Sequence, residues 1–265
     1  MAIPKRAIER VTAGLKKYQA VLTDAKNRDI NERDTVIIIV DMVADLLGYK
    51  KFTEITTEFP DHAGGYIDLA VKVDKEIRFL IEAKAINVEL KDSHVRQGVS
   101  YGATLGTEWV ILTNGVHWRI YKIHFGQPIE QTLVRELDLL AVTPRDDKLL
   151  ECFGSISREG FTKSSMTAFF QQQQAMGKFS VAALLLSEPV IGAARRELHR
   201  LYPSVKVEPE VLRSVIENDV FKREVVDGDE ARLAQGAIKK AAKAVAKAKA
   251  TAESEPVPSI KPDAT

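Results

Sequence analysis

Apolar positions recur at helical spacing from the start of the chain: Ile8, Val11, Leu15, Tyr18 and Leu22, with Lys and Arg between them, predict an amphipathic helix over 5–26. A second follows through Val36, Ile37, Val40, Met42, Val43 and Leu46, with Asn31 as N-cap, Glu32 in its first turn and Gly48 as its stop. The period then drops to two. Residues 52–59 alternate weakly and read as a first strand, and His62-Ala-Gly-Gly65 is a turn. The stretch 65–84, GYIDLAVKVDKEIRFLIEAK, reads as two strands joined at Asp74-Lys75-Glu76. Ile67, Leu69, Val71 and Val73 on the first strand and Ile77, Phe79, Ile81 and Ala83 on the second form one apolar face. Closing the hairpin with Val73 opposite Ile77 brings Asp68 across from Glu82, with Lys84 two residues further on the same face.

Beyond the hairpin, Ser93 is placed to cap a helix running to Leu105 and ending at Gly106, with Gln97 and Tyr101 on one side of it. Two strands, Trp109 to Leu112 and Val116 to Ile123, flank Thr113-Asn114-Gly115, a strong hairpin signal, and a last strand spans Gln131 to Leu137. This order predicts an α/β (α+β) domain over 1–143, a mixed sheet flanked by helices. Helical periodicity without strand character at 160–175, 187–201 and 208–223 predicts a helical appendage over 144–226. Over 227–265, Lys239, Lys240, Lys243, Lys247 and Lys249 sit in an alanine background before a polar, proline-rich end. That tail predicts a marginal helix and then disorder, its lysines either contacting phosphates or serving solubility alone.

Composition narrows the partners. A chain of 265 residues with 45% hydrophobic content can bury a good core. Its 38 basic and 37 acidic residues nearly cancel, so any nucleic-acid surface must be local. A lone Cys152 excludes an internal disulfide and any multi-cysteine zinc site and reads as a small buried apolar residue. The longest apolar stretches, Val36 to Val40 and Val181 to Leu186, are too short to span a bilayer, so a cytoplasmic location without membrane partners is the expectation. His62, His94, His117, His124 and His199 have no paired metal spacing, and Trp109 and Trp118 are expected in the core rather than as base-stacking platforms.

The chemistry therefore concentrates in the hairpin. Opposed carboxylates repel, and a divalent cation between Asp68 and Glu82 would compensate them. Phosphodiester hydrolysis asks for such a set. Mg²⁺, or Mn²⁺ in its place, would be held by single oxygens of Asp68 and Glu82, and Lys84 would orient or deprotonate a water and offset phosphate charge.

These residues resemble a family. Asp68, then Glu82-Ala83-Lys84, then Gln97-x-x-x-Tyr101 resembles the PD-(D/E)xK nuclease signature in its Gln-x-x-x-Tyr variant. With Asn31-Glu32-Arg-Asp-Thr35, Leu46-Leu-Gly-Tyr49, Gly65-Tyr-Ile-Asp68-Leu and Thr113-Asn-Gly115, residues 25–140 resemble the N-terminal nuclease domain of type I restriction enzyme R subunits. The resemblance implies a restriction-endonuclease-like fold and a DNA substrate. It adds the Ala83 backbone carbonyl as a metal ligand, assigns Gln97 and Tyr101 to positioning the scissile strand or supporting the site, and brings Glu32 toward the metal. No stretch matches G-x-x-x-x-G-K-[ST], so an ATP site and DNA translocation are not expected of this chain, and a motor or specificity function would come from protein partners. Two alternatives stay open: a non-catalytic DNA-binding or assembly module that keeps the nuclease fold, and a nuclease of repair or phage defence. Homo-oligomers fit either.

Overall fold

The computed structural model describes residues 3–60 and 65–253. The predicted turn at 62–65 therefore lies outside the described residues except for Gly65, and so does the end of the tail from residue 254. Contacts divide the chain into two compact units, one up to Gln173 and one from Gln174 on.

In the first unit, α1 (Lys5–Asn27) and α2 (Glu32–Asp45) form as their apolar stripes predict, and Asn31 caps α2 by accepting from the Asp34 N–H at 3.0 Å. Six strands follow: β1 (Ile55–Pro60), β2 (Tyr66–Val73), β3 (Glu76–Ala83), β4 (Trp109–Thr113), β5 (His117–His124) and β6 (Glu130–Asp138), with α3 (Asp92–Leu105) between β3 and β4. They make one sheet in sequential order. Only β3 and β4 run parallel, because α3 carries the chain back across the sheet between them. α1, α2, α4 (Asp147–Ile156) and part of α5 (Lys163–Ala175) cover one face, burying Leu15, Ile39, Met42, Phe153 and Phe169 against Leu69, Phe79, Ile81, Ile111 and Trp118. α3 covers the other, packing Val95, Val99 and Tyr101 on Ala70, Leu80, Val110 and Leu112. Gly98 makes that approach possible, since a Cβ there would lie 2.8 Å from Val110 Cγ1.

Several expectations change. The hairpin connection has two residues: Asp74 (φ 52°) and Lys75 (φ 68°) are both left-handed, as a tight primed turn requires, and Val73 pairs with Glu76. A bulge between Phe79 and Ile77 restores the expected register further in, at Leu69↔Ile81. Bulging turns Ile77 to the α3 side, away from Phe79 and Ile81. The hairpin face taken as polar is also buried, under α3. The first strand begins at Ile55 rather than Phe52, whose ring is exposed. Ser93 is not the cap of α3: Lys91 holds that position, its N–H donating to His94 Nδ1 at 3.3 Å, while Gly106 (φ 69°) ends the helix as expected. α4, inside the stretch expected to be helical but not singled out there, is capped by Asp146 accepting from the Leu149 N–H at 3.0 Å. Cys152, Trp109 and Trp118 are buried as read.

The second unit is helical: α6 (Lys178–Leu185), α7 (Glu188–Leu201), α8 (Pro209–Val215) with a π turn at Ile216–Val220, α9 (Arg223–Val226) and α10 (Asp229–Glu253). The helix expected in the tail is α10, which packs on α6. Lys239 and Lys243 line a groove that also holds Glu210 and Glu217. No described helix is long and apolar enough to cross a membrane.

Candidate active site

The site forms where the β2–β3 ladder stops. Backbone pairing ends at Leu69↔Ile81, and beyond it the Ala83 N–H donates to Asp68 Oδ2 at 2.7 Å, a side-chain oxygen standing in for a main-chain acceptor. Glu58 on β1 lies level with Asp68, between the pairs Thr57↔Leu69 and Phe59↔Ile67, and is itself left-handed (φ 47°). Both strands change face at this row. Leu69 and Ile55 pack on the α1/α2 side, whereas Ile67 and Phe59 pack on the α3 side, so the expectation of Ile67 and Leu69 on one face is corrected by this bend.

Glu82, on the fully buried end of β3, is only 5% exposed. Its Oε1 accepts from Lys84 Nζ at 2.8 Å, and its Oε2 is buried with no hydrogen-bond partner. Lys84 Nζ also donates to the Ala83 carbonyl at 2.6 Å and lies 3.7 Å from Glu32 Oε2 at the start of α2. The strand beneath is pinned by the Lys84 N–H donating to the Thr113 carbonyl at 2.9 Å. Asp68, Glu82, the Ala83 carbonyl, Lys84 and Glu32 are thus brought together around one ammonium group.

Burial is the main force on the titrating groups. It pushes Glu82 up to about 7, helped by the Asp68 charge and opposed by Lys84. It also raises Asp68, against the Ala83 hydrogen bond and the Lys84 charge, with Glu32 and Glu58 adding to the rise. Burial works against the charge of Lys84, but its hydrogen bond to Glu82 and the fields of Glu82, Glu32 and Asp68 outweigh that, so its pKa is raised and it stays an ammonium.

Gln97 and Tyr101 lie one strand-end away. Gln97 Nε2 donates to the Tyr66 carbonyl at 2.9 Å, and the buried Tyr101 hydroxyl occupies the place where a Cβ on Gly65 would sit, 2.2 Å from it. Both therefore hold the entry to β2. Glu58 escaped the sequence reading; registering β1 against β2 would have found it, because the row 58, 68, 82 then appears.

Among the described residues, no group of three or more His, Cys, Asp or Glu is placed to hold a metal ion. The oxygens that remain are the two carboxylates and the Ala83 carbonyl, a hard donor set that suits Mg²⁺. The unpartnered Glu82 Oε2 beside Asp68 fits it too, since a desolvated carboxylate oxygen requires a proton or a cation.

A comparison with protein families gives a match over part of the chain. Residues 33–135 match the type I restriction enzyme R protein N terminus (HSDR_N). The HSDR_N-like segment takes in β1 to β5, α3 and all of Asp68, Glu82, Ala83, Lys84, Gln97 and Tyr101, and it begins one residue after Glu32. α1, α4, α5 and the second unit lie outside it. No curated protein and no solved structure matches the chain.

Proposed function

We propose that this chain is an Mg²⁺-dependent DNA endonuclease with a PD-(D/E)xK site, related through its HSDR_N-like segment to type I restriction R proteins. One observation carries the reading: Glu82 is buried with a free Oε2 beside Asp68, while its other oxygen and the next carbonyl fix Lys84. Asp68, Glu82 and the Ala83 carbonyl would hold the ion. When bound, Mg²⁺ supplies Lewis-acid charge against phosphate oxygens and makes water a stronger acid.

The chain's own residues do the rest. Asp68 is oriented by the Ala83 N–H, so it meets a ligand without losing side-chain freedom on binding. Lys84, kept as an ammonium, stabilises charge that builds on the phosphate and orients water rather than abstracting its proton. Without metal, burial holds a proton on Glu82 up to about pH 7, so uptake of the ion should strengthen as pH rises through that value. DNA is the substrate class, and the family match supports protein partners of the type I kind for motor or specificity functions.

Plasmid nicking in Mg²⁺ or Mn²⁺ is the test. Wild type should nick and Lys84→Ala should lose about a hundredfold or more; cutting that survives the substitution refutes the proposal. A second reading, a non-catalytic DNA-binding module, is favoured by the Lys84–Glu82 ion pair, which already compensates one carboxylate. Salt-dependent DNA binding with no metal uptake by calorimetry would support it instead.

A further inference from the structure

Tyr66 has no part in the chemistry above, yet the site is built to hold it. Among the described residues of the first unit, three aromatic side chains are well exposed, Phe52, Tyr66 and Phe125, and Tyr66 alone stands within two residues of a site carboxylate. A single exposed tyrosine is ordinary. Here its backbone is clamped from two sides. Gln97 donates to its carbonyl at 2.9 Å, and the buried Tyr101 hydroxyl presses on Gly65 directly before it, at a distance that leaves no room for a side chain there.

The direction of the ring follows from its neighbours. A Cβ on Gly65 would run into Tyr101, and Ile67 lies close enough to Gly98 that a Cβ on that glycine would be 3.5 Å from Ile67 Cδ1, so residues 65 and 67 both face α3. Alternation turns Tyr66 the other way, toward the side of the sheet on which α2 lies and on which Glu32 meets Lys84. A 61% exposed ring, on a backbone held by Gln97, thus stands two residues from Asp68 and on the α2 side of the sheet.

We propose that Tyr66 is a substrate-contacting residue, its ring packing on a base or sugar of the DNA strand beside the scissile phosphate, with Gln97 and Tyr101 as positioning residues acting through it. The proposal rests on the nuclease reading for its substrate. It gives the Gln-x-x-x-Tyr pair a definite task, which is to aim a third side chain.

The test measures binding and cleavage separately. Anisotropy of a fluorescein-labelled mixed-sequence duplex, with each Tyr66 variant built on Lys84→Ala to suppress cutting, gives affinity; plasmid nicking by the Tyr66 variants alone gives KM and kcat. Tyr66→Ala should weaken binding about tenfold and raise KM alike with little change in kcat, because aromatic stacking on a base contributes that much. Tyr66→Phe should keep both within about twofold, since the ring is what acts. Gln97→Ala should move KM in the same direction by less, and all three variants should melt with wild type. Tyr66→Ala that binds as tightly as its Lys84→Ala parent overturns the proposal, as does Tyr66→Phe failing equally. Nicking that survives Lys84→Ala overturns the nuclease reading instead and leaves the anisotropy result to decide Tyr66, while a wild type that binds no DNA overturns both.

Discussion

Glu82→Gln separates the cost of burying a carboxylate from everything else the residue does. Glutamine keeps the shape and cannot ionise. In the folded protein Glu82 is lifted from its ordinary 4.5 to about 7, chiefly by burial. At about 1.36 kcal/mol per pH unit, that corresponds to about 3 kcal/mol. Because the folded value is the higher one, the folded state holds the proton that the unfolded chain releases between pH 4.5 and 7. Wild-type stability therefore falls as pH rises through that window, with no penalty below it and the full penalty above. Urea unfolding of both proteins at intervals from pH 4 to 8.5 should show the variant gaining on wild type by about 3 kcal/mol across the range. The glutamine Oε1 can still accept from Lys84 Nζ, so the part of the difference that varies with pH reports the ionisation of Glu82. A difference that does not vary with pH would refute the reasoning. Mg²⁺ adds a second arm: on the proposed reading it should stabilise wild type more at pH 8 than at pH 5 and leave the variant nearly unaffected.

Three further outcomes follow from packing and hydrogen bonding. Gly65→Ala should lower stability by about 1–3 kcal/mol, since its Cβ would sit 2.2 Å from the Tyr101 hydroxyl; adding Tyr101→Phe, which leaves the ring carbon at 3.4 Å, should recover part of the melting temperature. Gly98→Ala should cost a similar ~1–3 kcal/mol and reduce cleavage, because lifting α3 off Val110 disturbs Glu82, whose Cβ lies 3.9 Å away. Asn114→Ala should destabilise by about 2–4 kcal/mol in chemical denaturation, as the buried amide accepts from the Val116 and His117 N–H groups and donates to the Val88 carbonyl.

Much of this was legible because alternation and turn residues report backbone geometry directly. The register that points Asp68 toward Glu82 came from counting, and it holds as far as Leu69↔Ile81 despite a shorter turn, because a bulge added back the missing residue. The switch of face at Asp68 was not legible. It depends on Glu58 adopting φ 47°, which a glutamate does not advertise, and on Phe59 and Ile67 exchanging one core for the other. Likewise, the polar-looking side of the hairpin was buried because α3 carries Gly98 and Gly102, whose close approach to Val110 and Ile123 is a tertiary fact. Gln97 and Tyr101 were found by spacing, but their contact with Gly65 and Tyr66 needed the fold. α4 had its signal in Asp146 ahead of Leu149, Cys152, Phe153 and Ile156, a cap and stripe that went unused.

The hydrogen bond from Ala83 to Asp68 makes this aspartate, in effect, a length of main chain that can titrate. Its carboxylate closes the seam between two strands whether or not catalysis is required, so folding alone is reason to retain an oxygen acceptor there. Asparagine can present the same acceptor without the charge. Asp68→Asn should consequently leave the seam shut while removing the anion, whereas losing Lys84 would leave the buried Glu82 carboxylate with no partner at either oxygen.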